Sequence, residues 1–231
     1  MTNEKKGIGA ILSEAMDIIG KNPNIVILYL IPVILVLIGT LTTAGVFVRQ
    51  NVMRSAFGGF EVDPEYFLDR ALLFLGFASV FGILGWVFGI VADAFAIRIT
   101  YNATQDKHLS LSEVWNEIGT GKILILLAAS IIVAILTILG FFVFCIGALI
   151  VMILLIFVKQ GIVVDDLGLG ATLSKSYNIA KDNFFDVLIL VLIFALLSLF
   201  LGWIPWIGSI LSILVGMYAV VAYTLLYLDR K

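Results

Sequence analysis

The chain has 231 residues, 62% of them hydrophobic and only 13% charged, with a formal net charge of -2. A soluble domain carries about twice that charged fraction, so a soluble globule is excluded and a membrane protein expected. The slightly acidic balance leaves no footprint for nucleic acid, and the single Cys145 leaves no internal disulfide.

The apolar residues come in blocks. Charge-free runs extend from Lys21 to Arg49, from Arg70 to Asp93, from Lys122 to Lys159 and from Asp186 to Asp229. One crossing of a bilayer takes roughly 20 helical residues. The first two runs therefore each predict one span. The last two are long enough for two crossings each, so the expected fold is all-α with six transmembrane helices.

Taken in order, Gly7 to Gly20 reads as an interfacial helix. Ile8, Ile11, Leu12, Ala15, Met16 and Ile19 recur on one face, with Ser13, Glu14 and Asp17 opposite. Pro23 separates it from span 1, Asn24 to Val48. This span is too long for a cleaved signal core and is expected to be retained. Arg49 to Asp69 reads as an acidic loop. Asp63-Pro64-Glu65 then looks like the cap and first turn of span 2, which continues to about Ile97. Along it, Gly85 with Gly89 and Ala78 with Gly82 predict a closely packed seam.

After a polar connector from Tyr101 to His108, Leu111, Val114, Trp115 and Ile118 predict a second interfacial helix. Its wet face carries Ser112, Glu113, Asn116 and Glu117. Ile123 to Leu139 and Phe142 to Val158 are spans 3 and 4, divided at Gly140-Phe141. A third interfacial helix follows Asp165-Asp166, with Leu169, Leu173, Tyr177 and Ala180 expected to face inward. Phe184 to Leu201 and Gly208 to Leu228 are spans 5 and 6, divided by a stretch holding Gly202, Pro205 and Gly208.

Three of these stretches align without a gap. Leu12-Ser13-Glu14-Ala15-Met16-Asp17, Leu111-Ser112-Glu113-Val114-Trp115-Asn116 and Leu173-Ser174-Lys175-Ser176-Tyr177-Asn178 each precede a membrane-length run. They predict one membrane domain, residues 1–231, built as three hairpin units at about 7–107, 108–168 and 169–231. Eleven basic residues fall on the side of the termini and interfacial helices, against Arg49, Arg54 and Arg70 on the other. That bias places both termini and all three interfacial helices in the cytoplasm of a plasma-membrane protein.

The last third of the chain also carries a family resemblance. A valine-rich stretch ending in acid, Ile162-Val163-Val164-Asp165-Asp166, precedes Leu173, Lys175, Ser176 and Tyr177. Asn183-Phe184 then enters a span. This pattern resembles the membrane domain attached to some glycerophosphodiester phosphodiesterases, and related stand-alone prokaryotic membrane families. The resemblance implies a membrane module. The catalytic domain of those enzymes has no counterpart in these residues, so their activity is not implied.

Asp93 is the leading candidate functional residue. An acid at the centre of a bilayer costs about 2.5–3.5 kcal/mol on insertion scales, and acids inside spans are functional candidates by default. Its expected company is Arg98, near the interface. Asp165 and Asp166 are weighed as a cation site, with attraction to the N-terminus of the following helix as the simpler role. His108 is the sole histidine, and neither a zinc motif nor a hydrolase triad has material. No cofactor or metal and no enzymatic activity are expected.

Two function classes remain open. One is a non-enzymatic module organising membrane lipid or a protein partner, a second copy included. The other is a small permease with its pathway between the three hairpins. The first is favoured because no basic residue lies mid-span to meet a polar solute, whereas transport of charged substrates calls for paired ionisable groups near the midplane.

Overall fold

Hydrocarbon offers no partner for backbone N–H and C=O groups, so an apolar chain satisfies them internally by forming helix. The computed structural model describes residues 5–57, 64–107, 109–142, 144–204 and 207–231, and no strand occurs among them. In chain order the helices are α1 (Ile8–Lys21), α2 (Pro23–Phe57), α3 (Pro64–Ala103), α4 (Leu111–Phe142) and α5 (Phe144–Leu154). They continue as α6 (Val158–Asp165), α7 (Leu169–Asp182), α8 (Phe184–Gly202) and α9 (Gly208–Arg230). Six segments are long and apolar enough to cross a membrane: Pro23–Thr42, Ser79–Ala103, Leu111–Phe142, Ile146–Asp165, Phe184–Gly202 and Ile210–Arg230.

Several boundaries differ from expectation. α2 continues to Phe57, past the expected end of span 1 at Val48, whereas α3 starts at Pro64 as expected. No proline or glycine interrupts residues 49–57, so nothing there stops the helix. The acids at Glu61 and Asp63 lie outside the described residues. The fourth span runs to Asp165 rather than stopping at Val158. Tyr101 and Asn102, expected in a connector, are the last turn of α3.

Glycines make the sharp changes of direction. Inside α4, Gly119 has φ 66° and ψ 163°, a conformation an L-residue adopts only under strain. It separates residues 111–118 from the rest of α4. At the α4–α5 turn, a Cβ on Gly140 would stand 2.9 Å from the carbonyl carbon of Gly147, so only glycine permits that approach.

The chain forms two compact units, one of Met1–Tyr29 with Ile90–Lys231 and the other of Leu30–Gly89. In the first, α4 packs on α5, α8 on α9, α1 on α9 and α7 on α6. Its core gathers Ile11 and Ala15 of α1, Phe157, Ile162 and Val163 around α6, Leu190 of α8, and Val221, Leu226 and Tyr227 of α9. The outer side of α4 leaves Leu124, Ile131, Ile135 and Ile138 uncovered, as a lipid-facing surface would be.

In the second unit the expected glycine seam is corrected. A Cβ on Gly82 or Gly89 would meet nothing within 4 Å among the described residues, and one on Gly85 only Val36 at 3.8 Å. The close approach lies elsewhere, with a Cβ on Gly39 reaching 2.9 Å from that of Phe81. Small-residue spacing marks where helices can approach, not which face they use.

Candidate functional site

Tyr29, Asp93 and Lys159 come from three different candidate spans and meet in the first unit. The Asp93 carboxylate accepts a hydrogen bond from the Tyr29 hydroxyl on Oδ1. On Oδ2 it accepts one from Lys159 Nζ at 2.5 Å. Tyr29 is 4% exposed. The Asp93 and Lys159 side chains are 13% and 37% exposed. Lys159 stands six residues inside the end of its span at Asp165, about 9 Å along a helix.

The position of Lys159 is set by α7. Between α5 and α6 the backbone ladder breaks at residues 155–157, and the Ser176 hydroxyl stands in for it. Ser176 Oγ accepts from the Phe157 amide at 3.1 Å and donates to the Leu154 carbonyl at 2.9 Å. One turn away, Thr172 Oγ1 donates to the Val158 carbonyl at 3.0 Å. A Cβ on Gly161 would collide with the Thr172 hydroxyl. Glycine at 161 and small hydroxylic residues at 172 and 176 therefore bring α6 against α7, with Lys159 in the first turn of α6. Beside it, Gln160 is 2% exposed and its Oε1 has no hydrogen-bond partner among the described residues. Such an orphan acceptor costs about 1–3 kcal/mol.

One expectation is thereby corrected. Asp93 pairs with Lys159, which stands near the end of its candidate span and not at its middle. Arg98, the expected partner, instead bonds Glu117 at 2.6 Å and the Val163 carbonyl at 3.3 Å. Five helical residues place Arg98 more than a full turn from Asp93, and the nearer carboxylate came from residues 111–118. Asn102 also donates to Glu117, at 3.2 Å.

Asp165 and Asp166 do not serve the N-terminus of α7, whose cap is Gly168 and whose first turn holds no acid. Asp165 closes α6 and accepts from Lys175 at 2.5 Å, from Lys231 at 2.8 Å and from the Tyr227 hydroxyl. Asp166, in the left-handed conformation at φ 55°, pairs with Lys122. Lys6 binds Asp229 through its amide, and Lys5 donates to Asn183 at 2.9 Å. These bonds bring both chain ends and α7 together.

The aligned stretches have a shared burial register. Ala15, Val114 and Ser176 are at most 1% exposed, while the next residues, Met16, Trp115 and Tyr177, are 60%, 40% and 44% exposed. Leu12, Leu111 and Leu173 are half-buried; Ser13, Ser112 and Ser174 are exposed. The inward placement of Met16, Trp115 and Tyr177 is thus corrected. The small residue takes the contact, and the bulky one is rotated about 100° away from it. Trp115 stacks one face on Phe95 at 6.1 Å, and the Lys181 ammonium stands 5.9 Å from the Tyr177 ring. Before residue 111 the sequence reading missed a capping box, in which Ser110 and Glu113 bond reciprocally. Its signal, Ser-x-x-Glu, is plain in the chain.

No group of three or more His, Cys, Asp or Glu side chains among the described residues is placed to hold a metal. Comparison with protein-family models, curated proteins and solved structures finds no match.

Proposed function

We propose that this chain is a small multi-pass permease of the plasma membrane, with Asp93, Lys159 and Tyr29 as the polar centre of its pathway. One observation carries the reading: an acid and a base from different candidate spans are paired with each other. Among the described residues Lys159 has Asp93 as its one partner, though an ammonium has three donors. The pair can thus admit a small charged or zwitterionic solute, its anionic group meeting Lys159 and its cationic group Asp93. No covalent chemistry is assigned, and the solute, rather than a cofactor, is the ligand.

The test is reconstitution in proteoliposomes with uptake of radiolabelled solutes, offering defined amino acids, small carboxylates and organic ammonium ions in turn. Solute uptake that disappears in both Asp93→Asn and Lys159→Met, each reconstituted at the level of the unaltered protein, supports the proposal. No uptake with any of the three classes, or uptake unaltered by both substitutions, overturns it.

The second reading, a non-enzymatic module organising lipid or a partner protein, is favoured by the shared burial register at residues 12–16, 111–115 and 173–177. That register supports amphipathic helices arranged as a threefold internal repeat of hairpin units. The resemblance to the membrane domain of glycerophosphodiester phosphodiesterases is compatible with both readings. For orientation, the gathering of Lys5, Lys6, Lys175 and Lys231 near both chain ends supports cytoplasmic termini. In a Cys145→Ser background, Val62→Cys should label from outside intact cells and Lys107→Cys should not.

A further inference from the structure

The three outward residues Met16, Trp115 and Tyr177 occupy one register of three similar stretches, and each stretch leads directly into an apolar segment. α1 ends at Lys21 and α2 begins at Pro23; α7 ends at Asp182 and α8 begins at Phe184. Met16 stands as far ahead of Pro23 as Tyr177 does of Phe184. Residues 111–118 end at Gly119, and the charge-free run of α4 begins at Ile123, just past Lys122. Chain connectivity therefore holds all three near the ends of candidate spans, at the depth where hydrocarbon gives way to headgroups.

The neighbouring residues point the same way. Next to each bulky side chain is an exposed polar one, Asp17, Asn116 or Asn178. An apolar body beside a polar, wetted neighbour suits the boundary between acyl chains and headgroups, where tryptophan and tyrosine concentrate. A basic face for anionic headgroups is lacking on two of the three. Glu14 and Asp17 mark the first stretch, Glu113 and Glu117 the second, and Lys21 is engaged by Asp17 at 2.6 Å. Attraction to acidic lipid is therefore not what holds them.

We infer that Met16, Trp115 and Tyr177 form a three-point anchor seated in the glycerol and upper acyl region of one phospholipid leaflet, independent of lipid charge. The anchor does not rest on the permease reading, since it involves none of Tyr29, Asp93 or Lys159.

The test uses tryptophan emission. With Trp86, Trp203 and Trp206 replaced by Phe, Trp115 reports its own depth without any change at the site. Met16→Trp and Tyr177→Trp, each with Trp115→Phe added, report the other two. Each protein is placed in phosphatidylcholine vesicles whose lipids are brominated near the glycerol end or near the chain terminus, and separately exposed to iodide in the water. All three positions should be quenched several-fold more by the shallow bromines than by the deep ones. Iodide should quench them little, and adding phosphatidylglycerol should leave the pattern unchanged. Strong iodide quenching without bromine quenching would put the residues in water and overturn the anchor. Protection from both quenchers would mean a protein partner or second copy covers them, and would overturn it as well. Quenching that appears only with phosphatidylglycerol would contradict the charge independence.

Discussion

Asp93 and Asp165 are chemically alike and differ in their company. Each carboxylate accepts a tyrosine hydroxyl and a lysine ammonium, and their side chains are similarly covered, at 13% and 17% exposure. Asp165 has a second lysine, Lys231, so its cluster carries an excess positive charge and ties α6, α7 and α9 together. Among the described residues, Asp93 has Lys159 alone as its cation. A carboxylate braced from three sides survives the loss of one brace, which suits a joint. One held by a single cation changes state when that cation is drawn away, which suits a site that exchanges partners. Similar groups are thus suited to different ends according to redundancy.

The strongest way to break this comparison is Lys159→Met, which leaves Asp93 charged and unpaired. Orphaning one member of a buried pair costs about 3–5 kcal/mol, and the partial exposure of Lys159 puts the expected loss near about 3 kcal/mol. Equilibrium unfolding in mixed detergent and dodecyl sulfate measures it. Adding Asp93→Asn should recover most of the loss. If the double variant is no more stable than Lys159→Met alone, the pair is not coupled as described.

Removing the hydroxyls comes next. Hydrogen bonds to a charged group contribute about 1.5–3 kcal/mol, so Tyr29→Phe should cost about 2 kcal/mol. Tyr227→Phe should cost less, because two lysines continue to hold Asp165. Equal losses for the two would remove the distinction in redundancy.

Smaller effects are expected at the lysines of Asp165. Removing either one leaves the carboxylate its other lysine and the Tyr227 hydroxyl, so the loss stays in the range of about 0–1 kcal/mol. Lys175→Ala and Lys231→Ala should each stay under about 1 kcal/mol, whereas the double variant should exceed their sum. Additive losses would mean the two lysines do not back each other up.

The smallest change tests which part of α7 matters. Tyr177→Ala should stay within about 0.5 kcal/mol in detergent, as surface substitutions do. Ser176→Ala should cost about 1–3 kcal/mol, because the Phe157 amide loses its acceptor. The reverse order would place the tyrosine, and not the serine, against the protein.

The spans could be read from the chain because they answer to a local condition. A charge-free run of sufficient length must form helix wherever it meets hydrocarbon, whatever it packs against. Thus α8 and α9 begin at Phe184 and Gly208 as expected, and six apolar segments follow from four charge-free runs. Helical periodicity also found the stretches at Leu12, Leu111 and Leu173. It could not choose between adjacent faces, because a small residue and a bulky apolar one at successive positions satisfy the same spacing. Packing selected Ala15, Val114 and Ser176 for contact and turned Met16, Trp115 and Tyr177 outward. Partner choice was equally hidden. Lys159 lies 66 residues from Asp93 in the chain, and it reaches that carboxylate beside a break in the backbone ladder between α5 and α6 that Ser176, from yet another helix, bridges. Proximity of this kind is a property of the folded arrangement, so no local pattern announces it.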